Sequence, residues 1–330
     1  MKAAYITRTG PPENIIYGEL LSPEPKAAQV LVEVKAVSVN PIDTYIRSGM
    51  APMDLKFPFV VGCDLAGIVA EVGPQVQRFH PGDRVWGSNQ GLLGRQGTFS
   101  SFAVVDEDWL YPIPAGVSDE RAAAIALVGI TAHLGLVRSA GLRAGETILV
   151  NGAGGAVGSV VLQMAAALGA QVFATTGSGA KIEVCRQLGA QQVINYNTQN
   201  VEAVLKELAP QGVNIWWETS RNPDFDQAIK ALAPRGRMIL MAGREARPPF
   251  PVGPFYVKGC SLHGFAMFAA TPEEQQLAAT DINRWLVEGK LKPKIDRLMP
   301  LSETATAHRL QEENTLRKTG VLAGKIVLKP

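Results

Sequence analysis

The sequence predicts an α/β protein of two domains, in which a partly open β-barrel precedes a doubly wound parallel sheet. Short alternating strands separated by Pro and Gly turns fill the first third of the chain. From Thr147 onward, strands alternate with helix-length segments, which is the pattern of a parallel sheet. At 330 residues the chain also exceeds the roughly 250 to 300 residues that one hydrophobic core supports.

The strands of the predicted barrel are short and rich in β-branched residues. They lie at residues 1–6, 30–39, 68–72, 84–86 and 99–105. We expect little helix in this part of the chain, and Asn40-Pro41 has the composition of a turn. The apolar segment 122–137 is too short, and too polar at Thr131 and His133, to span a bilayer. We therefore predict a buried helix there.

The second half of the chain continues the alternation to its end. Predicted strands lie at 147–150, 171–176, 192–196, 215–218, 238–241 and 261–265, and predicted helices at 155–168, 180–188, 201–208, 223–232 and 272–287. A short strand after Pro293, a helix capped at Ser302 and a strand at 325–328 follow. We expect these last elements to rejoin the first domain. The predicted domains are therefore 1–122 with 266–330, and 123–265.

Charge and cysteine content narrow the class of protein. With 32 basic and 30 acidic residues, the net charge of +2 predicts neither nucleic acid nor an anionic membrane as a partner. The three cysteines are odd in number and widely separated, which favours a reducing compartment such as the cytoplasm over a disulfide framework. The N-terminus lacks the long apolar core of a signal peptide. Hydrophobic residues at 46% supply enough apolar surface for large cores.

A glycine-rich turn follows the first strand of the predicted parallel sheet. Gly152, Gly155 and Gly158 lie between strand 147–150 and an apolar helix, as a dinucleotide-binding turn requires. Such a turn needs a positive φ, backbone that a diphosphate can approach, and close packing of helix on strand. The free N–H groups at the start of the helix then bind the diphosphate. We predict a dinucleotide coenzyme at this turn.

The second predicted strand indicates which dinucleotide is bound. Sites selective for NAD place Asp or Glu about 20 residues beyond the turn, where the carboxylate accepts the ribose 2′-hydroxyl. This chain has no acid there and instead carries Thr176, Ser178 and Lys181. Hydroxyl donors and an ammonium favour a 2′-phosphate. The predicted coenzyme is NADPH.

The sequence predicts no metal site. Zinc needs three or four convergent Cys, His or carboxylate ligands, and the four histidines are scattered. Cys63-Asp64 supplies two candidate ligands, although a lone buried cysteine is usually a small apolar side chain.

Several longer segments carry a family resemblance. The chain resembles the zinc-independent quinone oxidoreductases of the medium-chain dehydrogenase/reductase superfamily over essentially its whole length. The segments that carry the resemblance are 39–49 (VNPIDTYIRSG), 62–73 (GCDLAGIVAEVG), 81–85 (PGDRV), the glycine turn and 193–196 (VINY). The resemblance implies a GroES-like catalytic domain formed from both ends of the chain, and a central Rossmann domain with a cleft between them. Zinc-dependent relatives carry His-Glu where this chain has Cys63-Asp64.

The resemblance also implies roles for individual residues. Asn40, Tyr45 and Thr131 are expected to face the nicotinamide and the substrate. The residues expected along the rest of the coenzyme are Gly155, Ala156 and Val157 at the diphosphate, Lys181 and Tyr196 at the 2′-phosphate, and Thr219, Gly243, Phe265 and Met267 at the nicotinamide end. Relatives that are dimers or tetramers associate through an edge strand, which implies a homodimer or homotetramer joined at 261–265.

The implied reaction is hydride transfer from NADPH to a quinone, without a metal. The acceptor oxygen gains negative charge as hydride arrives and needs a hydrogen-bond donor, for which Asn40 and Tyr45 are the candidates. Enoyl-thioester reductases of the superfamily carry a tyrosine where this chain has Ala51, so that proton donor is missing here. An alkenal or enone double-bond reductase is the alternative enzyme, and a non-catalytic NADPH-responsive binding protein is the alternative from another class.

Overall fold

The chain forms two compact units in the computed structural model, which describes residues 1–317 and 319–330. The first unit contains Met1–Val128, Thr271–Val287 and Pro293–Pro330. The second contains Gly129–Ala270 and Glu288–Lys292. The boundaries between the units along the chain therefore lie at 128/129 and 270/271, where the sequence predicts 122/123 and 265/266. Residues 288–292 also belong to the second unit.

The strands, in chain order, are β1 (Lys2–Ile6), β2 (Ile16–Glu19), β3 (Gln29–Ser38), β4 (Phe59–Val60), β5 (Leu65–Val72), β6 (Arg84–Gly87), β7 (Phe102–Asp106), β8 (Leu110–Pro112), β9 (Thr147–Asn151), β10 (Gln171–Thr176), β11 (Gln192–Asn195), β12 (Val213–Glu218), β13 (Leu232–Leu240), β14 (Ser261–Gly264), β15 (Ile295–Pro300) and β16 (Lys325–Lys329). The α-helices are α1 (Pro41–Ser48), α2 (Asp119–His133), α3 (Ala156–Ala167), α4 (Ala180–Gln187), α5 (Val201–Leu208), α6 (Phe225–Ala231), α7 (Val252–Val257), α8 (Pro272–Val287) and α9 (Thr304–Thr315).

The first unit is built on antiparallel β-structure. Its larger sheet has the order β15-β16-β3-β5-β6-β8, with β7 also paired to β3, and a smaller sheet has the order β2-β1-β4. Burial alternates along most of β3, so this strand turns one face to the core. Val327 in β16 lies opposite Ser38 in β3. The end of the chain therefore rejoins this unit, as the sequence predicts.

Helix α1 corrects the expectation of a turn at Asn40-Pro41. Proline fits the first position of a helix because its missing N–H has no partner there in any case. The Asp43 carboxylate accepts the backbone N–H of Asn40 at 2.8 Å, which satisfies a donor at the helix start. Gly49, at φ 83°, ends the helix in the left-handed conformation that glycine adopts without strain. The segment is therefore a short capped helix.

A second correction concerns the helix predicted to be capped at Ser302. Residues Leu301–Glu303 form a 3-10 turn, and α9 begins at Thr304 without a side-chain hydrogen bond from its cap residue, Glu303. The Thr304 hydroxyl donates instead to the carbonyl of Leu301 at 2.6 Å. The start of α9 is thus fixed by the preceding turn.

The second unit is the predicted parallel sheet. Its strand order is β11-β10-β9-β12-β13-β14, so successive strands run outward from β9 first on one side and then on the other. Ligands of such sheets bind beyond the carboxyl ends of the strands at the point where the order reverses. Here that point is the glycine turn after β9.

Helix α2 continues as a π-helix over Leu134–Ser139. Together they make a 21-residue segment, Asp119–Ser139, which is longer than the sequence predicts and is long and apolar enough to cross a membrane. However, 78% of its most apolar 18-residue stretch is buried inside the fold, as in a core helix.

Candidate functional site

The turn after β9 has the geometry that its glycines predict. Gly152 has φ +82°, and a Cβ there would lie 2.2 Å from the Thr219 hydroxyl. A Cβ on Gly158 would lie 2.7 Å from the Gly152 carbonyl oxygen, so helix α3 packs closely on the turn. Gly155 is exposed, and its nearest protein atom would be 3.6 Å from a Cβ. Glycine is therefore required inside the turn at Gly152 and Gly158, while Gly155 leaves space outside it.

The start of helix α3 is open to an anion. Gly155 is its cap residue and makes no side-chain cap hydrogen bond, and Ala156 and Val157 follow in the first turn, half-buried. Backbone N–H groups at an uncapped helix start bind phosphate, helped by the helix dipole. The residues present therefore fit a dinucleotide diphosphate.

Lys181 lies against the glycine turn. A Cβ on Gly154 would be 2.7 Å from Cδ of Lys181 and 3.6 Å from the Thr176 hydroxyl. Strand β10 ends at Thr176, and the Thr176 hydroxyl accepts the backbone N–H of Ser178 at 3.3 Å. The structure thus brings together the three residues that the sequence associates with a 2′-phosphate.

Tyr196 reaches the same loop from the end of β11. A Cβ on Gly177 would lie 2.4 Å from the Tyr196 hydroxyl oxygen, so the phenol covers this glycine. Asn197 donates from its side chain to the Gly177 carbonyl at 2.7 Å. Tyr196 remains 52% exposed, so its ring is available to a ligand at this edge of the sheet.

The remaining predicted coenzyme residues follow the other strands of the sheet or lie on α2. Thr219, directly after β12, donates to the Asn151 carbonyl at 2.6 Å and so joins the turn. Gly243, after β13, has φ +80°, and a Cβ there would lie 2.7 Å from the Arg221 carbonyl oxygen. Phe265 stacks under the Arg138 guanidinium at 5.5 Å, and Met267 and Thr131 are buried. Thr219 contacts the glycine turn directly through its hydrogen bond to Asn151.

Sequence reasoning missed a buried acid beside the turn. Glu218, the last residue of β12, is fully buried and accepts hydrogen bonds from Asn151, Trp216 and Ser220. Burial raises the pKa of Glu218, and these hydrogen bonds oppose that effect. An acid that closes an apolar strand is the only signal the sequence offers, because the contact with Asn151 depends on the tertiary fold.

In the first unit, Asn40 is fully buried with its side-chain amide engaged. Its Nδ2 group donates to Asp64 Oδ2 at 2.7 Å and to the Ser38 carbonyl at 3.2 Å. Its Oδ1 accepts a hydrogen bond from Lys325 Nζ. Both amide hydrogens therefore have partners inside the unit, and the predicted donation to a substrate oxygen requires one of these bonds to be exchanged. The bonds of Asn40 tie the start of α1 to Asp64 and Lys325.

A buried polar cluster surrounds Asn40. We define the Asn40 cluster as Asn40, Asp43, Cys63, Asp64 and Lys325, all buried. Asp64 also accepts hydrogen bonds from the Ser38 and Ser88 hydroxyls, at 3.1 and 2.7 Å.

Charge and burial act together in the Asn40 cluster. Burial raises the pKa of Asp43 to about 7 and also raises the pKa values of Cys63 and Asp64. Burial lowers the pKa of Lys325, and the nearby acids partly offset this effect. The ammonium and one carboxylate can therefore neutralise each other while Asp43 holds a proton.

Tyr45 is half-buried on α1, five residues beyond the helix cap Asn40. Its carbonyl accepts the N–H of Ala51 at 3.0 Å, and Ala51 is buried. The chain after α1 thus folds back onto the helix. Tyr45 is the second residue predicted to donate a hydrogen bond to the acceptor oxygen.

Within residues 1–317 and 319–330, no group of three or more His, Cys, Asp or Glu side chains is placed to hold a metal ion. Cys63 and Asp64 are members of the Asn40 cluster, where Asp64 accepts from Asn40, Ser38 and Ser88.

Comparison with known proteins identifies the family. One matching family model, described as an alcohol dehydrogenase GroES-like domain, covers residues 26–115, and a second, described as a zinc-binding dehydrogenase, covers residues 156–282. The quinone oxidoreductase of Sus scrofa is 33% identical over 332 residues, which cover 99% of this chain and 97% of that protein.

Solved structures agree with this assignment over the whole length. The quinone oxidoreductase of Escherichia coli, complexed with NADPH, superposes with a TM-score of 0.86 at 29% identity and covers 100% of both chains. An NAD-dependent alcohol dehydrogenase superposes with a TM-score of 0.89 at 31% identity, also over 100% of both chains. The two units are thus a GroES-like domain and a Rossmann domain, as the resemblance implies. This chain belongs to the quinone oxidoreductases of the medium-chain dehydrogenase/reductase superfamily.

Proposed function

We propose that the protein is an NADPH-dependent, zinc-independent oxidoreductase that transfers hydride to a quinone. The observation that carries the proposal is that Lys181 and Thr176 both lie beside Gly154. The strand that ends at Thr176 offers no carboxylate to a ribose 2′-hydroxyl. An acid at that place would favour NADH, whereas an ammonium and hydroxyls favour a 2′-phosphate.

The second unit supplies the groups that would hold the coenzyme. The glycine turn and the first N–H groups of α3 bind the diphosphate, and Lys181 and Tyr196 bind the 2′-phosphate end. Thr131, Gly243, Phe265 and Met267 are proposed at the nicotinamide end. When bound, NADPH supplies the hydride.

The first unit supplies the groups that would act on the acceptor. A quinone oxygen gains negative charge as hydride arrives, and the Tyr45 hydroxyl donates a hydrogen bond to it. Asn40 holds the start of α1, the helix that carries Tyr45, through its bonds to Asp64 and Lys325. Water completes the protonation.

The proposal extends to the compartment and the assembly of the protein. Cys63, Cys185 and Cys260, all within the described residues, form no disulfide bond, which fits a reducing cytoplasm. Strand β14 ends the six-stranded sheet and offers an edge for pairing with a second copy in a homodimer or homotetramer.

The proposal is tested by following oxidation of NADPH and of NADH with three acceptors in parallel, a naphthoquinone, an alkenal and a crotonyl thioester, before and after treatment with a zinc chelator. We expect fastest turnover with NADPH and the quinone, unchanged by the chelator. Faster turnover with the alkenal would make the protein a double-bond reductase. Tight NADPH binding without turnover of any acceptor would make it a binding protein.

A further inference from the structure

A continuous line of hydrogen bonds joins a buried carboxylate to the glycine turn. Both oxygens of Glu218 accept from Nδ2 of Asn151, at 2.9 and 3.0 Å. The Thr175 hydroxyl donates to Oδ1 of Asn151 at 2.6 Å and accepts the backbone N–H of Gly152 at 3.1 Å. These contacts span three neighbouring strands, because Glu218 ends β12, Asn151 ends β9 and Thr175 lies in β10.

The carboxylate sets the direction of every bond in this line. An ionised carboxylate only accepts hydrogen bonds, so the Asn151 amide must turn its NH₂ group to Glu218 and its carbonyl to Thr175. The Thr175 proton is then committed to Asn151, which leaves an oxygen lone pair for the N–H of Gly152. No bond in the line can reverse while Glu218 remains a carboxylate.

The line of hydrogen bonds ends at Gly152, the most constrained residue of the turn. Gly152 has φ +82°, and the Thr219 hydroxyl would lie 2.2 Å from a Cβ at that position. The backbone conformation of Gly152 sets the path of the residues that follow it in the turn, as far as Gly155 at the cap of α3. A small rotation of the Gly152 peptide therefore moves the N–H groups that would bind the diphosphate.

We infer that Glu218 is a positioning residue for coenzyme binding, acting through the Asn151 amide and the Thr175 hydroxyl to hold the phosphate-binding turn in its binding conformation. The inference rests on the proposed use of NADPH at this turn. Glu218 itself is fully buried and contacts no coenzyme in this assignment, so its removal acts through the turn.

Reversing the line tests the inference. Glu218→Gln places an NH₂ group among the donors of Asn151, Trp216 and Ser220, and we expect the NADPH dissociation constant to rise about 10- to 100-fold. Asn151→Asp places two carboxylates against each other, and we expect a rise of the same order. Affinity is measured by coenzyme fluorescence, and stability without coenzyme by thermal unfolding.

The double variant Glu218→Gln/Asn151→Asp separates positioning from stability. The new carboxylate at position 151 accepts from both Thr175 and the new amide at position 218, so the line to Gly152 is restored. One of the two other donors, Ser220 N–H or Trp216 Nε1–H, loses its acceptor. We therefore expect NADPH affinity to return to within about fivefold of the parent while the unfolding temperature stays below it.

Two further variants complete the test. Thr175→Val removes the hydroxyl and should weaken NADPH binding, whereas Thr175→Ser keeps the hydroxyl and should not. Glu146→Gln is the matched control, because Glu146 pairs with Arg237 at the opposite end of the same sheet, at 2.7 Å. It should lower stability and leave NADPH affinity unchanged.

The outcomes distinguish this inference from the proposed function. If the parent binds NADPH and both single variants bind it equally well, Glu218 has no positioning role. A double variant that binds NADPH no better than the weaker single variant also contradicts the positioning role. A parent protein that binds neither NADPH nor NADH overturns the proposed function, and the inference with it.

Discussion

The ammonium of Lys325 donates to the side-chain carbonyl of Asn40, although 285 residues separate them along the chain. Lys325 also donates to the Val39 carbonyl at 2.9 Å. The first residue of the last strand thus fixes the cap of the first helix. Because both side chains are buried, the contact depends on the complete first unit.

Lys325→Met is expected to lower the free energy of unfolding by about 3 to 5 kcal/mol, because it leaves Asp64 buried without its cation. The matched control is Lys329→Met in the same strand, where an exposed lysine pairs with Glu120 at 2.8 Å. That change should cost about 1 kcal/mol or less. Urea unfolding measures the stability of both variants, and equal urea midpoints would contradict the role given to Lys325.

The same contact shows what the sequence can and cannot predict. Strands and helices of the parallel sheet follow from local periodicity, and the glycine turn follows from its position after β9. A lysine at the start of a terminal strand, by contrast, looks like an ordinary surface residue. Its burial against Asn40 depends on a strand pairing, Val327 with Ser38, that no local pattern encodes.

Local composition is also misleading at Asn40-Pro41. Asparagine and proline are typical of turns, yet they also begin helices, and Asp43 decides between the two by accepting the N–H of Asn40. The partners of the Asn40 amide are hidden from the sequence for a similar reason, because a sequence shows an amide but not which of its hydrogens have protein partners. Glu218 escapes prediction because its contact with Asn151, 67 residues away, depends on the pairing of β9 with β12.

Tyr45→Phe is expected to lower kcat for quinone reduction about 100-fold, the order of effect of removing one donor to a developing oxyanion. Affinity for NADPH should change little, because the glycine turn and Lys181, which are proposed to bind its phosphates, belong to the second unit. Tyr17→Phe, on strand β2, is the matched control and should turn over like the parent. Steady-state kinetics with a naphthoquinone measures both, and parent-like kcat in Tyr45→Phe would remove Tyr45 from the mechanism.

Lys181→Met is expected to weaken NADPH binding about 10- to 100-fold, since hydrogen bonds to charged groups contribute about 1.5 to 3 kcal/mol each. Affinity for NADH should be unchanged, because NADH carries no 2′-phosphate. Lys206→Met, exposed on α5 in the same unit, is the matched control. Calorimetric titration with both coenzymes measures the difference. An equal loss of NADH and NADPH affinity would show that Lys181 does not read the 2′-phosphate.

His308 is fully buried on α9, and within residues 1–317 and 319–330 neither of its ring nitrogens has a hydrogen-bond partner. The ring packs edge-on against Phe99, with 6.1 Å between centroids. Burial, reinforced by the charge of Arg47, lowers the pKa of His308 from 6.5 to about 3. The unfolded chain therefore binds this proton more readily than the folded protein at every pH between those two values.

The stability that neutral His308 preserves is fully present above pH 6.5 and is lost as pH falls toward about 3. The slope attributable to this one group is about 1.4 kcal/mol per pH unit at most. Asp43 acts in the opposite direction, because its pKa is raised from 3.8 to about 7 and the folded protein holds its proton more tightly in that range. The two effects partly cancel in the parent protein.

His308→Leu should therefore be least destabilising, or even stabilising, at acid pH, because it removes the imidazole that must otherwise be protonated on unfolding. Urea midpoints between pH 4.5 and 7.5 measure the difference between variant and parent, in which the contribution of Asp43 drops out. A constant difference between His308→Leu and the parent across this range would show that His308 is protonated equally in the folded and unfolded states.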